Sequence, residues 1–242
     1  MMLNEVQKVG ERLWRMEGSF DIAQKMLFGL PHAQPGGLVL TWCLFVTTIS
    51  LSIPLSYLVV CVCNKRHRFM VVSGTGFALL RAIPPLVIIF TIDFFLPLET
   101  FVKGIFALTL YSMSHLVPIF SKYIHMYPEN LERVENVLKL GLLARYARLR
   151  AHWVFKKSFP AIHTHFVSLF KDTSIVILIG LLELSALTNL LASRAYQLSD
   201  WLTIFAICSA LYFINVQFLN LIGERLRLSV FRSSYRMTRS IN

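Results

Sequence analysis

Apolar positions gather into long runs separated by polar breaks: Gly37–Cys63, Met70–Leu98, Phe101–Ile124, Ala161–Leu191 and Trp201–Ile222. Each reaches or approaches the ~20 residues with which a helix crosses a bilayer. The pattern predicts an all-α polytopic membrane protein with about five transmembrane helices. Three stretches lie outside the runs: residues 1–36, a long polar stretch His125–Pro160, and a basic tail Gly223–Asn242. The expected organisation is an N-terminal segment 1–36, a transmembrane unit 37–222 that includes a loop over 126–160, and the tail 223–242. Pro35-Gly36-Gly37 reads as a turn into the first span. The residues before it, with Leu13, Trp14, Met16, Phe20, Ile22, Met26, Leu27 and Phe28, suit an interfacial helix or a partly ordered tail.

Composition sharpens this picture. Apolar residues make up 55% of the 242 residues and charged residues 15%, against roughly a quarter charged in soluble domains. The net charge of +11 is explained by topology rather than by nucleic-acid binding, because lysine and arginine mark cytoplasmic loops. The first inter-span loop carries Lys65, Arg66 and Arg68; the third carries Arg133, Lys139, Arg145, Arg148, Arg150, Lys156 and Lys157. The tail adds Arg225, Arg227, Arg232, Arg236 and Arg239, while the opposite side has Lys103 and Arg194. Five spans with the N-terminus outside and the C-terminus in the cytoplasm satisfy this alternation. Residues 1–25 are amphipathic, without the apolar centre of a cleavable signal peptide.

Several chemistries are excluded. Cys43, Cys61, Cys63 and Cys208 lie in apolar runs without metal-ligand spacing. His163 and His165 would point to different faces of a helix, which suits no metal. No G-x-x-x-x-G-K-[ST] phosphate loop is present, so ATP binding belongs elsewhere.

The candidate chemistry sits in the fourth run, at KDTSIVILIGLLEL, Lys171 to Leu184. Charged side chains in a span usually face a bundle interior or a wet cavity. On one continuous helix Asp172, Val176, Ile179 and Glu183 would share a face, with the carboxylates roughly 16 Å apart. Lys171, Asp172 and Glu183 could then line a path for an amino acid. Alternatively Lys171 snorkels to the interface and Asp172 pairs with Arg81 or Lys122. Thr173 and Ser174 could line the path or bond the backbone. Asp93 could line the same path or sit at the outer interface. Pro84-Pro85 would kink the second span.

Local motifs carry a family resemblance. Gly37-Leu38-Val39-Leu40-Thr41 is similar to an opening G-L-x-x-T. Leu80-Arg81-Ala82-Ile83-Pro84-Pro85-Leu86-Val87 keeps the R-x-x-P frame of F-R-G-T-P-L-L-V. Ala107-Leu108-Thr109-Leu110, Lys171-Asp172-Thr173-Ser174 and Ala192-Ser193-Arg194 follow in order. Together they resemble the membrane subunit of an ABC importer for polar amino acids, the histidine, arginine and glutamine permease family. The resemblance spans about Gly37 to Leu228 and implies the type I importer permease fold in a bacterial inner membrane. It implies a path for a polar or basic amino acid, with Lys171, Asp172, Thr173, Ser174, Tyr111, Ser112, Arg81 and Pro84 as path or gate residues. It also implies partners: an ATP-binding subunit pair holding ATP and Mg, a second permease subunit, and an extracytoplasmic substrate-binding protein.

Two departures matter. Tyr111 stands where the family has asparagine. The coupling motif, E-A-A-x-x-x-G followed by L-P, is replaced by Glu135-Asn136-Val137, Gly141 and a distant Phe159-Pro160. The stretch Glu132–Trp153 is helical in pattern, apolar at first and basic at ARYARLRAHW. The resemblance makes it the ATPase-docking element, with Glu135, Val137, Leu140, Gly141, Leu142 and Pro160 as coupling residues. A helix on anionic lipid is the rival. A scaffold that kept the permease fold and lost coupling is the rival function.

Overall fold

The computed structural model describes residues 19–29, 36–63, 67–137 and 149–239. Its elements are α1 (Ser19–Phe28), α2 (Gly37–Cys63), α3 (His67–Ala82), α4 (Pro85–Phe95), α5 (Thr100–His125), α6 (Glu129–Val137), α7 (Ala151–Asp172), a 3-10 segment (Thr173–Ile179), α8 (Leu184–Ala192) and α9 (Leu198–Arg239). Four stretches are long and apolar enough to cross a membrane: Gly37–Cys63, Thr100–His125, Ala151–Ile179 and Leu198–Leu228. The bent pair Thr75–Ala82 and Pro85–Phe95 makes a fifth if it is one span. The protein is a multi-pass helical membrane protein, as the apolar runs predict.

α2 and α5 form the central pair. α2 buries Thr41, Leu44, Thr48, Ser52, Ser56 and Val60, a stripe of mostly small side chains. Small residues let helices approach closely where lipid supplies no hydrophobic drive between them. α5 answers with Gly104, Ala107, Leu108, Ser112 and Ser114. Leu44, Phe45, Ile89, Leu108, Leu169 and Phe170 build the core between α2, α4, α5 and α7. The remaining faces stay apolar and exposed, as a lipid-facing surface requires.

The second run is broken rather than kinked. α3 and α4 meet at 96°. Pro85 occupies the first turn of α4, and Pro84 is its cap with extended backbone. Proline at a helix start loses no hydrogen bond, whereas it disfavours helix in the residue before it. The two prolines therefore end one helix and begin the next.

The fourth run does not form one helix, and this corrects the shared face expected for Asp172, Val176, Ile179 and Glu183. α7 ends at Asp172, tightens into the 3-10 segment, and stops at Gly180 with φ 84°. Glu183 then caps a separate helix, α8. At its other end the same helix starts earlier than the apolar run. α7 begins at Ala151 and runs through Pro160, so the loop over 126–160 is partly span. α9 likewise continues from Leu198 to Arg239, with no break at residue 223.

α1 docks through Ile22 and Met26 onto Leu184, Leu191, Ile204 and Cys208, while Phe20 and Phe28 stay exposed. Leu13, Trp14 and Met16 lie outside the described residues.

Candidate functional site

A polar cluster crosses the interface of α2, α5 and α7 near the middle of α5. The Tyr111 hydroxyl donates to Asp172 Oδ2 at 3.1 Å, and the Ser168 hydroxyl reaches the same oxygen at 3.4 Å. Ser112 Oγ donates to Ser52 Oγ at 3.1 Å and lies 2.9 Å from His165 Nε2. His165 stacks on His115 with ring centroids 4.9 Å apart and planes 13° apart. Tyr111 closes the chain, with its ring 4.9 Å from His115. Sequence position explains the convergence. Tyr111, Ser112 and His115 lie on adjoining turns of α5. His165, Ser168 and Asp172 recur at three- and four-residue spacing on one face of α7.

The cluster gathers Tyr111, Ser112 and Asp172 from the expected path residues. Arg81 and Lys122 are exposed, and Asp172 pairs with neither. Lys171 is exposed. The Thr173 hydroxyl bonds the Phe170 carbonyl at 2.7 Å, a local backbone role, and Ser174 is half-buried beside it. Pro84 serves the break between α3 and α4. Asp93 pairs with Lys103 at 2.8 Å, joining the end of α4 to the start of α5 outside the cluster.

Glu183 is fully buried. It accepts from the backbone N–H of Ser185 at 3.0 Å and of Ala186 at 2.8 Å, and closely from the Ser185 hydroxyl. Thr41 and Tyr212 hydroxyls approach it at 3.4 and 3.3 Å. A helix N-terminus and three hydroxyls stabilise the carboxylate where the described residues provide no cation. Thr41 also bonds the Gly37 carbonyl at 3.1 Å and receives the Leu184 N–H at 3.2 Å. The Gly37…Thr41 motif is thus the seat of Glu183, which joins α2, α8 and α9 outside the Tyr111–Asp172 cluster.

A second charged cluster lies in the loop between α5 and α7. Glu135 is fully buried. Arg150 Nη2 and Nε reach Glu135 Oε2 at 2.9 and 3.0 Å, and the Tyr127 hydroxyl donates to Oε1 at 2.8 Å. Glu132 takes Arg150 Nη2 at 3.1 Å, and the guanidinium lies over the Tyr127 ring at 5.0 Å. Burial, and then the Glu135 hydrogen bond, push Tyr127 up to about 12. Val137 is exposed on the outer side of α6, and Pro160 is exposed within α7. Leu140, Gly141 and Leu142 lie outside the described residues.

His165 and Arg150 were not anticipated as functional residues. His165 carried a signal, its seven-residue spacing from Asp172 on a helix. Arg150 carried none beyond membership of a basic stretch.

The comparisons agree with this architecture. A crystal structure of an amino acid ABC transporter with histidines superposes with a TM-score of 0.65 at 19% identity, covering 80% of this chain and 92% of that one. The fold is that of an ABC transporter permease. An inward-facing structure of the MetNI methionine ABC transporter gives a TM-score of 0.60 at 14% identity, covering 79% of this chain and 91% of that one. In sequence the chain is 23% identical over 181 residues to the glutamate/glutamine/aspartate/asparagine transport system permease protein BztC of Rhodobacter capsulatus. That match takes in 69% of this chain and 41% of the relative, so the chain spans about two-fifths of the permease it matches. No family model matches the chain. The amino-acid permease resemblance carried by the motifs is therefore met by both sequence and fold.

Proposed function

We propose that the chain is the transmembrane subunit of an ATP-driven importer, in which it forms part of the path for a polar or basic amino acid. The observation that carries this reading is the polar chain that runs from buried Ser52, Ser112 and His165 through half-buried His115 and Tyr111 to half-buried Asp172, set among apolar spans of a permease fold. Polar and ionisable groups at membrane depth are costly and mark solute pathways. Among the described residues Asp172 accepts from the neutral hydroxyls of Tyr111 and Ser168, which leaves the carboxylate free to meet a cationic group. The chain itself is not an enzyme in this reading; ATP and Mg sit on a separate pair of ATP-binding subunits. A second permease subunit and an extracytoplasmic substrate-binding protein complete the assembly in a bacterial inner membrane. The N-terminus lies outside, in keeping with the distribution of basic residues.

The test is purification of the N-terminally tagged chain in mild detergent. Recovery of an ATP-binding subunit, with ATP hydrolysis in lipid nanodiscs, is the expected result. A well-folded chain that carries no ATP-binding subunit would overturn the reading in favour of a non-transporting scaffold.

A further inference from the structure

The resemblance places the coupling glutamate at Glu135, where it would touch the ATPase. In this chain that carboxylate is turned inward and fully buried. It is held by two guanidinium nitrogens of Arg150 and by the Tyr127 hydroxyl. No acceptor capacity faces outward from it. The outer face of α6 instead presents Leu131, Val134 and Val137, all exposed. Glu135 therefore fastens α6 to something within the chain.

Arg150 immediately precedes Ala151, the first residue of α7. α7 then runs without interruption for 22 residues to Asp172, a rod of about 33 Å. Its far end carries the Asp172 carboxylate that receives Tyr111 of α5. One continuous helix, with Pro160 in its first half, thus has the Glu135 pair at its head and the polar cluster at its tail. A hydrogen-bonded ion pair leading into a continuous helix is a physical route by which displacement at one site reaches another.

We propose that the Glu135–Arg150 pair is the rivet through which movement of α6 reaches the Tyr111–Asp172 contact. Arg150 is a positioning residue acting through α7, and Glu135 is its anchor rather than an ATPase contact. The inference rests on the importer reading. The pair suits this role better than a flexible surface contact would. Removing one partner leaves a buried charge, so the joint resists separation under load. Glu132 and the Tyr127 ring hold the guanidinium from further sides, which fixes its direction as well as its distance. The 3-10 segment beyond Asp172 ends at Gly180, which separates α7 from α8.

The experiment compares wild type, Glu135→Gln and Arg150→Lys, each purified with its ATP-binding subunit and placed in lipid nanodiscs. Glu135→Gln keeps the shape and leaves Arg150 paired with Glu132, so it should fold. Backbone hydrogen exchange is followed by mass spectrometry with and without Mg-ATP, over residues 129–137 and 168–182. In wild type, ATP should change exchange in both segments by about five-fold or more. In Glu135→Gln the response of 129–137 should persist while that of 168–182 falls to within about two-fold of none. Arg150→Lys, which keeps the charge and loses the fork, should give an intermediate response.

An undiminished response of 168–182 in Glu135→Gln would overturn the rivet and leave the importer reading intact. Loss of the ATP-binding subunit from well-folded Glu135→Gln would also overturn it, since Glu135 would then be a docking group. A double variant, Glu135→Gln with Arg150→Met, removes both charges and leaves no unpaired buried ion. If it folds and still transmits, the rivet is again overturned. Wild type without an ATP response in either segment would overturn the importer reading itself, and the rivet with it.

Discussion

Tyr111 and Asp172 are 61 residues apart in sequence and 3.1 Å apart across α5 and α7. The hydroxyl partly satisfies a carboxylate that no cation neutralises among the described residues. This arrangement separates two substitutions. Asp172→Asn keeps the volume and the Tyr111 hydrogen bond but removes the charge. Uptake of a basic amino acid should fall roughly ten- to hundred-fold, the range of a charge-assisted bond of about 1.5–3 kcal/mol. Tyr111→Phe removes a neutral donor and should cost only about two- to ten-fold. Radiolabelled uptake into proteoliposomes of the assembled transporter measures both. Uptake by Asp172→Asn equal to wild type would remove Asp172 from the path.

Glu183 provides the opposite contrast. Its carboxylate caps α8 and ties it to Thr41 and Tyr212. Glu183→Ala leaves the buried Ala186 N–H and the half-buried Ser185 N–H without their acceptor, and should destabilise the chain by about 2–4 kcal/mol. Glu183→Gln keeps one acceptor oxygen and should cost less than half of that. Thermal unfolding in detergent gives the comparison. The Gln variant should still support uptake, because Glu183 lies outside the Asp172 cluster. A Gln variant that is stable but inactive would return Glu183 to the path.

Legibility in the sequence followed the range of the interactions. The apolar runs located the spans because a bilayer imposes length and polarity on each segment separately. The break at Gly180 leaves no mark in that pattern. The 3-10 segment, the turn and α8 are all largely apolar, so the run looks unbroken although the backbone is not. Asp172 and Tyr111 could each be singled out, but not as each other's partner. Arg150 was counted among loop charges, yet it pairs with a residue 15 positions away. Such pairing follows from how α6 meets α7, which no local period encodes. Pro84-Pro85 was legible as an interruption, while the 96° angle is set by how α3 and α4 pack on α5.

Two glycines should respond in opposite ways. Gly37 has φ +60°, and a Cβ there would lie 2.1 Å from the Met26 carbonyl oxygen. Backbone cannot step aside as a side chain can, so Gly37→Ala should prevent α1 from docking and leave little folded protein by size-exclusion chromatography. Gly76 lies in α3 with nothing within 4 Å of its Cβ position. Gly76→Ala should be neutral or stabilise by about 0.5–1 kcal/mol, because alanine loses less backbone entropy in a helix. A folded, fully stable Gly37→Ala protein would contradict the close approach of Gly37 to the Met26 backbone.

The contact between α7 and α9 turns on Gly223 and His163. A Cβ at Gly223 would meet His163 Nε2 at 2.0 Å, and the same nitrogen lies 3.2 Å from the Leu219 carbonyl oxygen. The ring also stacks on Phe159, with centroids 6.3 Å apart. Gly223→Ala should therefore expel a ring anchored on two sides, costing about 1–3 kcal/mol. His163→Ala alone should cost about 1 kcal/mol through the lost bond and packing. The decisive measurement is the double variant. With the ring gone, the methyl group at residue 223 has space, so the double variant should be more stable than Gly223→Ala alone. Its non-additivity in a thermal double-mutant cycle should reach about 1 kcal/mol or more. Simple additivity would mean that the two helices do not meet at this pair, and that the long α9 is seated against α7 at another register.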